Sequence, residues 1–164
     1  MLKPNKSIKS LMAQLAQPGK VDWIGLRPVR REPLEVVDKV LALKNYGLEG
    51  DRSANKKGGK RQVTLIMGEH LDAAAQILGQ EAVDPGLVRR NIVTRGINLL
   101  SLKDRKFRIG EAVLELNGPC QPCSRMEENL GTGGYNAMRG HGGWCARVIE
   151  GGEIKVGDEI TFLD

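Results

Sequence analysis

Trp144-Cys145-Ala146-Arg147-Val148-Ile149-Glu150, then Gly151-Gly152, then Glu153-Ile154-Lys155-Val156, then Gly157-Asp158, then Glu159-Ile160-Thr161-Phe162-Leu163: the punctuation of this closing stretch decides the fold class. Short runs with β-branched and apolar residues are broken every few positions by glycine, which suits strands and turns. Gly151-Gly152 predicts a hairpin between Trp144–Glu150 and Glu153–Val156. Gly157-Asp158 predicts a turn into a last strand, Ile160–Leu163.

Upstream the texture is similar. Ala112–Leu116 alternates as a half-buried strand does, with Ala112, Leu114 and Leu116 on one side. Val21–Leu26, one or two runs within Leu34–Leu43, Gln62–Met67 and Asn91–Thr94 are further strands. Helices are few. Ser7–Gln17 has Ile8, Leu11, Met12 and Leu15 at helical spacing, with Ser7 to cap it and Pro18-Gly19 to end it. His70–Leu78 puts Leu71, Ala74, Ala75 and Leu78 on one face and stops at Gly79. Many short strands with a few peripheral helices predict a mainly β protein, a closed barrel or sandwich, since closure hides strand edges. No repeat or linker interrupts the 164 residues. The expected organisation is a helical extension over 1–20 and a β-barrel domain over 21–164.

Composition narrows the partners. The net charge of +5 attracts an anion without requiring nucleic acid, and with aromatics at 4% a base-stacking surface has little to work with. Three cysteines are too few and too uneven for a secreted disulfide framework. No run approaches the roughly 20 apolar residues of a membrane span. The basic start, Met1–Lys9, leads into no apolar core of a signal peptide. The expectation is a cytoplasmic protein with reduced thiols, a monomer or homodimer, with neither a membrane nor a specific nucleic acid as partner.

The chemistry concentrates in Gly118-Pro119-Cys120-Gln121-Pro122-Cys123-Ser124-Arg125-Met126-Glu127, which follows a strand and opens a helix. Ser124 and Glu127 have capping-box spacing, and Gly131 sits where a C-cap glycine belongs. Cys123 then lies just before a helix N-terminus, where the partial positive charge and Arg125 lower a thiol pKa. Two prolines stiffen the loop. Such a thiolate can attack sulfur, carry a persulfide or bind a soft metal, with Cys120 as a second potential ligand. Cys145, inside a strand, reads as a small buried filler. A zinc site would have to recruit Cys145, His70 or His141 to reach four ligands.

Glycines and cations surround this segment. The loop Gly131–Trp144 lets backbone amides approach an anion, Arg139 can grip a phosphate, and His141 can donate a proton. Two further clusters, Lys60-Arg61 and Arg89-Arg90-Asn91, add cations, and Arg61 and Asn91 stand at loop-to-strand junctions, where barrel mouths collect ligand groups. The expected ligand is an anionic small molecule held by Arg61, Arg90, Asn91, Arg125, Arg139 and His141. Asp51-Arg52 reads as a structural ion pair or turn, and His70 as a helix-surface residue.

The series Gly47-Leu48-Glu49-Gly50-Asp51-Arg52, Arg61-Gln62-Val63, Arg90-Asn91-Ile92-Val93, Pro122-Cys123, Gly140 to Val148 and Gly157-Asp158 resembles the MOSC domain. That is the C-terminal domain of molybdenum-cofactor sulfurases, also found as small bacterial proteins. The resemblance runs from about Trp23 to Phe162. It implies a Greek-key β-barrel of the pyruvate-kinase-barrel type and one characteristic cysteine, which matches Cys123. Cys120 falls where many members carry another residue. The resemblance further implies binding of the molybdenum cofactor (molybdopterin) with sulfur received or passed on. In amidoxime-reducing relatives, the cysteine ligates molybdenum and N-hydroxylated bases are reduced. The pyridoxal-phosphate and electron-supplying domains of larger relatives have no room here, so a separate electron or sulfur donor protein is implied. The residues leave open an oxidoreductase component, a sulfur carrier or transferase, and a non-catalytic, metal-stapled or partner-binding barrel module.

Overall fold

The computed structural model describes residues 7–163. Residues 1–6, part of the expected extension, and residue 164 lie outside the described residues. In chain order the elements are α1 (Ile8–Met12), β1 (Gly19–Leu26), β2 (Glu35–Val37), β3 (Lys39–Leu43), β4 (Gly47–Leu48), β5 (Val63–Met67), α2 (Gly68–Leu78), α3 (Pro85–Val88), β6 (Ile92–Arg95), β7 (Lys106–Ile109), β8 (Ala112–Pro119), α4 (Ser124–Leu130), α5 (Gly134–Met138), β9 (Trp144–Glu150), β10 (Gly152–Lys155) and β11 (Glu159–Phe162). Short 3₁₀ turns fall at Arg52–Asn55 and Leu99–Leu102.

Strands β1, β11, β7, β8, β9, β5 and β6 pair in that order, and β6 returns to β1, closing a seven-stranded barrel. Only β5 and β6 run parallel, and α2 and α3 make the crossover between them. β1 closes the barrel between two neighbours: Lys20 pairs with Glu159 of β11 on one edge and with Arg95 of β6 on the other. Its pairing with β6 runs from Lys20 to Ile24 with a register shift between Val21 and Trp23. The interior is filled by Val21, Ile24, Leu65, Ile92, Phe107, Ile109, Leu114, Val148 and Ile160. Each such side chain stabilises the fold by about 2 kcal/mol through burial. A second apolar cluster lies outside the barrel, where Ile66 and Val93 meet Leu71, Ala74, Ala75, Met126, Leu130 and Met138 of the helices. β5 is therefore buried on both faces, which explains its unbroken apolar run.

Two local expectations are corrected. β9 and β10 follow one another across Gly151 but do not form a hairpin. Both edges of β9 are taken, by β5 and β8, so β10 pairs with β3 in a separate small sheet with β4. The first helix is capped by Ser7 as predicted but ends at Met12 rather than Gln17. Its apolar stripe finds little cover, Ile8 being 71% exposed, and a five-residue helix has no packing to extend it. β1 begins at Gly19, two residues before the expected barrel start. No described helix is long and apolar enough to cross a membrane.

Candidate functional site

The register of β8 on β9 sets the site. Gly118 pairs with Cys145 and Pro119 with Trp144, after a shift between Leu116 and Gly118. The Cys120 amide then donates to the Gly143 carbonyl at 2.8 Å, fixing the first cysteine at the barrel rim. Cys123 follows as the N-cap of α4, in extended conformation, with its side chain capping nothing and its residue exposed. Glu127 does not close a capping box. Its carboxylate reaches forward and accepts from the amides of Gly133 and Tyr135, each at 3.0 Å, tying α4 to the start of α5. Those two amide bonds, the Tyr135 one the stronger, hold this exposed carboxyl below its usual range. The glycine loop is thus a short buried helix in its middle, with Ala137 and Met138 in the outer core.

Cys123 faces a cavity of about 450 Å³ lined by Arg27, Arg52, Ser53, Arg61, Arg89, Arg90, Arg125 and Met126. Among the described residues, six arginines and no carboxylate line this space. They come from the end of β1, the turn after β4, the loop before β5, the loop before β6, and α4. Only tertiary closure joins them.

The arginines are not equally free. Arg27 is bound to Asp51, Nη2 to Oδ2 at 3.1 Å. Asp51 also takes the Arg27 amide at 2.7 Å, the Ser53 amide and hydroxyl, and Nδ2 of Asn91 at 3.0 Å. Burial pushes the Asp51 carboxyl up, but the hydrogen bonds and charge of Arg27, with Ser53, outweigh it and hold the carboxyl below the usual range. Arg90 is buried and used as a clamp. Nε donates to Gly142 O at 2.8 Å, Nη1 to Val88 O at 3.0 Å, and Nη2 to the carbonyls of Cys120 and Gln121, both at 3.4 Å. Arg89 stands in the left-handed region, φ 57°, with Nη1 on the Glu32 carbonyl at 2.6 Å. Its Nη2 is buried without a hydrogen-bond partner. Burial, then the charges of Arg125, Arg27 and Arg52, lower the Arg89 pKa, the mark of a crowded positive site short of an anion.

The expected residues divide. Arg61, Arg90 and Arg125 share the cavity with Cys123. Asn91 is fully buried, accepts from the Thr64 amide at 3.1 Å and donates to Gly25 O and Asp51, so it braces the barrel end instead of lining the cavity. Arg139 is exposed beyond α5, outside the lining. His141 sets Nδ1 against Ala137 O at 3.1 Å and meets His70 edge-on at 4.9 Å. Cys120 and Cys123 do not line one space. Cys120 opens instead onto a second cavity of about 230 Å³, with His70, Gln121 and Trp144. The structure adds Arg27 and Arg52, which sequence reasoning missed, and brings in Arg89 of the Arg89-Arg90-Asn91 cluster. Asp51 pairs with Arg27, not Arg52.

Two further readings change. Arg61 Nη2 lies 3.2 Å from Cys120 Sγ. Cys145 is buried, as expected of a filler, yet its thiol is the neighbour that most lowers the Cys120 pKa. With the charges of Arg90 and Arg61, it brings the Cys120 thiol down to about 5 against the opposing effect of burial. Cys145 is pushed up in turn. His70 is half-buried and lines the second cavity; burial and His141 lower its pKa. Among the described residues no group of three or more His, Cys, Asp or Glu is placed to hold a metal, so the zinc-stapled arrangement has no ligand set.

The MOSC domain profile matches residues 50–161, well over half of the chain. No curated protein matches. Among solved structures, the YuaD protein from Bacillus subtilis superposes with a TM-score of 0.73 at 20% identity, over 88% of this chain and 94% of its own. YiiM from Escherichia coli gives 0.66 at 21%, over 88% and 70%, and YiiM from Geobacillus stearothermophilus gives 0.70 at 18%, over 90% and 76%. The likeness in fold agrees with the barrel, and the profile covers well over half of the sequence: the chain belongs to the MOSC domain family.

Proposed function

We propose that this chain binds the molybdenum cofactor in the arginine-lined cavity, with the Cys123 sulfur as the protein ligand to molybdenum. The observation that carries the reading is the unpartnered, buried Nη2 of Arg89 in a space walled by six arginines and an exposed thiol. A soft sulfur suits molybdenum, and guanidinium groups suit the phosphate of a pterin cofactor, so the residues present fit that group. Arg89 and Arg125 would hold the phosphate. Arg61 and Arg90 keep the rim loop in place, and Arg27 is occupied by Asp51. When bound, the group supplies a redox centre for reducing an N-hydroxylated compound, or a centre that accepts sulfur. In this reading electrons or sulfur reach the site from a separate donor protein. The exposure of Cys123, with no partner for its side chain as helix cap, also favours carriage of a persulfide, a second reading of the same thiol.

The test is metal and pterin content after anaerobic purification from cells that make the cofactor. Wild type is expected to carry both, and Cys123→Ser to lose molybdenum by roughly tenfold or more. Equal content in the two proteins removes Cys123 as the ligand. A cyanolysis assay for releasable sulfur on the same samples separates cofactor binding from sulfur carriage.

A further inference from the structure

We propose that Cys120 and Cys145 are a second, redox-active thiol pair, which a small hydroperoxide entering the cavity beside Trp144 and His70 converts to an intramolecular disulfide. The pair plays no part in the reading of Cys123 as a metal ligand, and its Cys120 lines a different space.

The geometry has three parts. First, the strand register brings the sulfurs together. Gly118 is opposite Cys145, and Cys120 hydrogen-bonds to Gly143 one rung on, so both cysteines lie on one face of the β8–β9 ladder as a diagonal pair. The residue directly opposite each is glycine, which leaves room for one thiol to lean on the other. Each thiol is the largest neighbouring influence on the other's ionisation, lowering Cys120 and raising Cys145. Second, Arg61 at 3.2 Å holds the Cys120 sulfur as its anion, the form that attacks peroxides. Third, access is restricted. Cys120 is 2% exposed and Cys145 5%, and of the two only Cys120 lines the cavity of about 230 Å³, so a small reagent meets Cys120 first.

The chemistry balances. The Cys120 thiolate attacks the terminal oxygen of the hydroperoxide. The O–O bond breaks, the alkoxide leaves and takes a proton to become the alcohol, and Cys120 becomes a sulfenic acid. The Cys145 sulfur then attacks the Cys120 sulfur, the S–S bond forms and the S–O bond breaks. Hydroxide leaves with the Cys145 proton as water. Two thiols are oxidised by two electrons and one hydroperoxide is reduced; an external thiol reverses the change.

The experiment treats reduced full-length protein with equimolar hydrogen peroxide, blocks free thiols with N-ethylmaleimide under denaturing conditions, and maps them by mass spectrometry. The expected product has lost two hydrogens, joins the Cys120 and Cys145 peptides, and carries one adduct, on Cys123. In Cys145→Ser, the sulfenic acid stays on Cys120 and is trapped by dimedone. Arg61→Gln is expected to slow disulfide formation at least tenfold, a readout that holds if the cysteine variant folds poorly. A Cys120–Cys123 disulfide, oxidation confined to Cys123, or free Cys120 and Cys145 after excess peroxide would each overturn the proposal. None of these outcomes depends on molybdenum content.

Discussion

Arg61 Nη2 stands 3.2 Å from Cys120 Sγ, and the same side chain walls the cavity that Cys123 faces. One guanidinium therefore touches both sulfur environments at the rim. The rim loop is a partition, with an arginine-rich space on one side and a dithiol on the other.

Thiolate absorbance at 240 nm tests this contact. Cys120, held down to about 5, is expected to be ionised through neutral pH, so wild type minus Cys120→Ser should show one thiolate step near pH 5. Arg61→Gln should move that step upward. A difference spectrum without any step below pH 7 would contradict the arrangement.

Asp51 is the keystone of the arginine end. Asp51→Ala leaves Arg27, the Ser53 amide and Asn91 without their shared acceptor and is expected to cost about 3–5 kcal/mol in urea unfolding. The folded carboxyl titrates below its ordinary value, so its stabilisation is complete above that value, near 3.8. It disappears as pH falls through the lower folded value. The wild-type loss attributable to Asp51 should therefore fall below about pH 4 and be absent from Asp51→Asn.

Arg90→Met removes four donors to backbone carbonyls of the segment around Val88, the cysteine loop and Gly142. The expected cost is about 3 kcal/mol, because buried carbonyls are left unpaired. Hydrogen exchange should rise first at the Cys120 amide. A variant as stable as wild type would show that the clamp is unimportant.

Gly143→Ala probes the close passage of the rim. A Cβ there would lie 2.1 Å from the Leu65 carbonyl oxygen, on a backbone at φ 87°. The substitution is expected to destabilise by more than about 2 kcal/mol and to disturb β5–β9 pairing, read by chemical unfolding and circular dichroism. Gly140→Ala, where nothing lies within reach of a Cβ, should cost less and serves as the control.

Much of the fold was legible locally. The apolar run Val63–Met67, the alternation from Ala112, the Gly79 stop after Leu78 and the glycine after α4 all appear where sequence pattern placed them. The failures share a cause. Gly151-Gly152 has a hairpin's sequence, but pairing depends on which strand edges are free, and β9 has none left. Ser124 and Glu127 have the spacing of a cap, but Glu127 found the two amides at the start of α5 instead.

The sequence by itself determined most of the strands, though not β4 or β7, the single cysteine loop with Cys123 at its helix start, and an excess of cations, because these depend on residue type and on neighbours within one turn or strand. The tertiary structure alone decided which arginines matter. Arg27, Arg52, Arg61, Arg89 and Arg125 come from separate stretches and meet only when the barrel closes, whereas Arg139, close to the cysteines in sequence, ends up exposed. It also decided that Cys145 is a partner of Cys120, since strand register, not spacing along the chain, brings two sulfurs 25 residues apart (145 − 120) to one face.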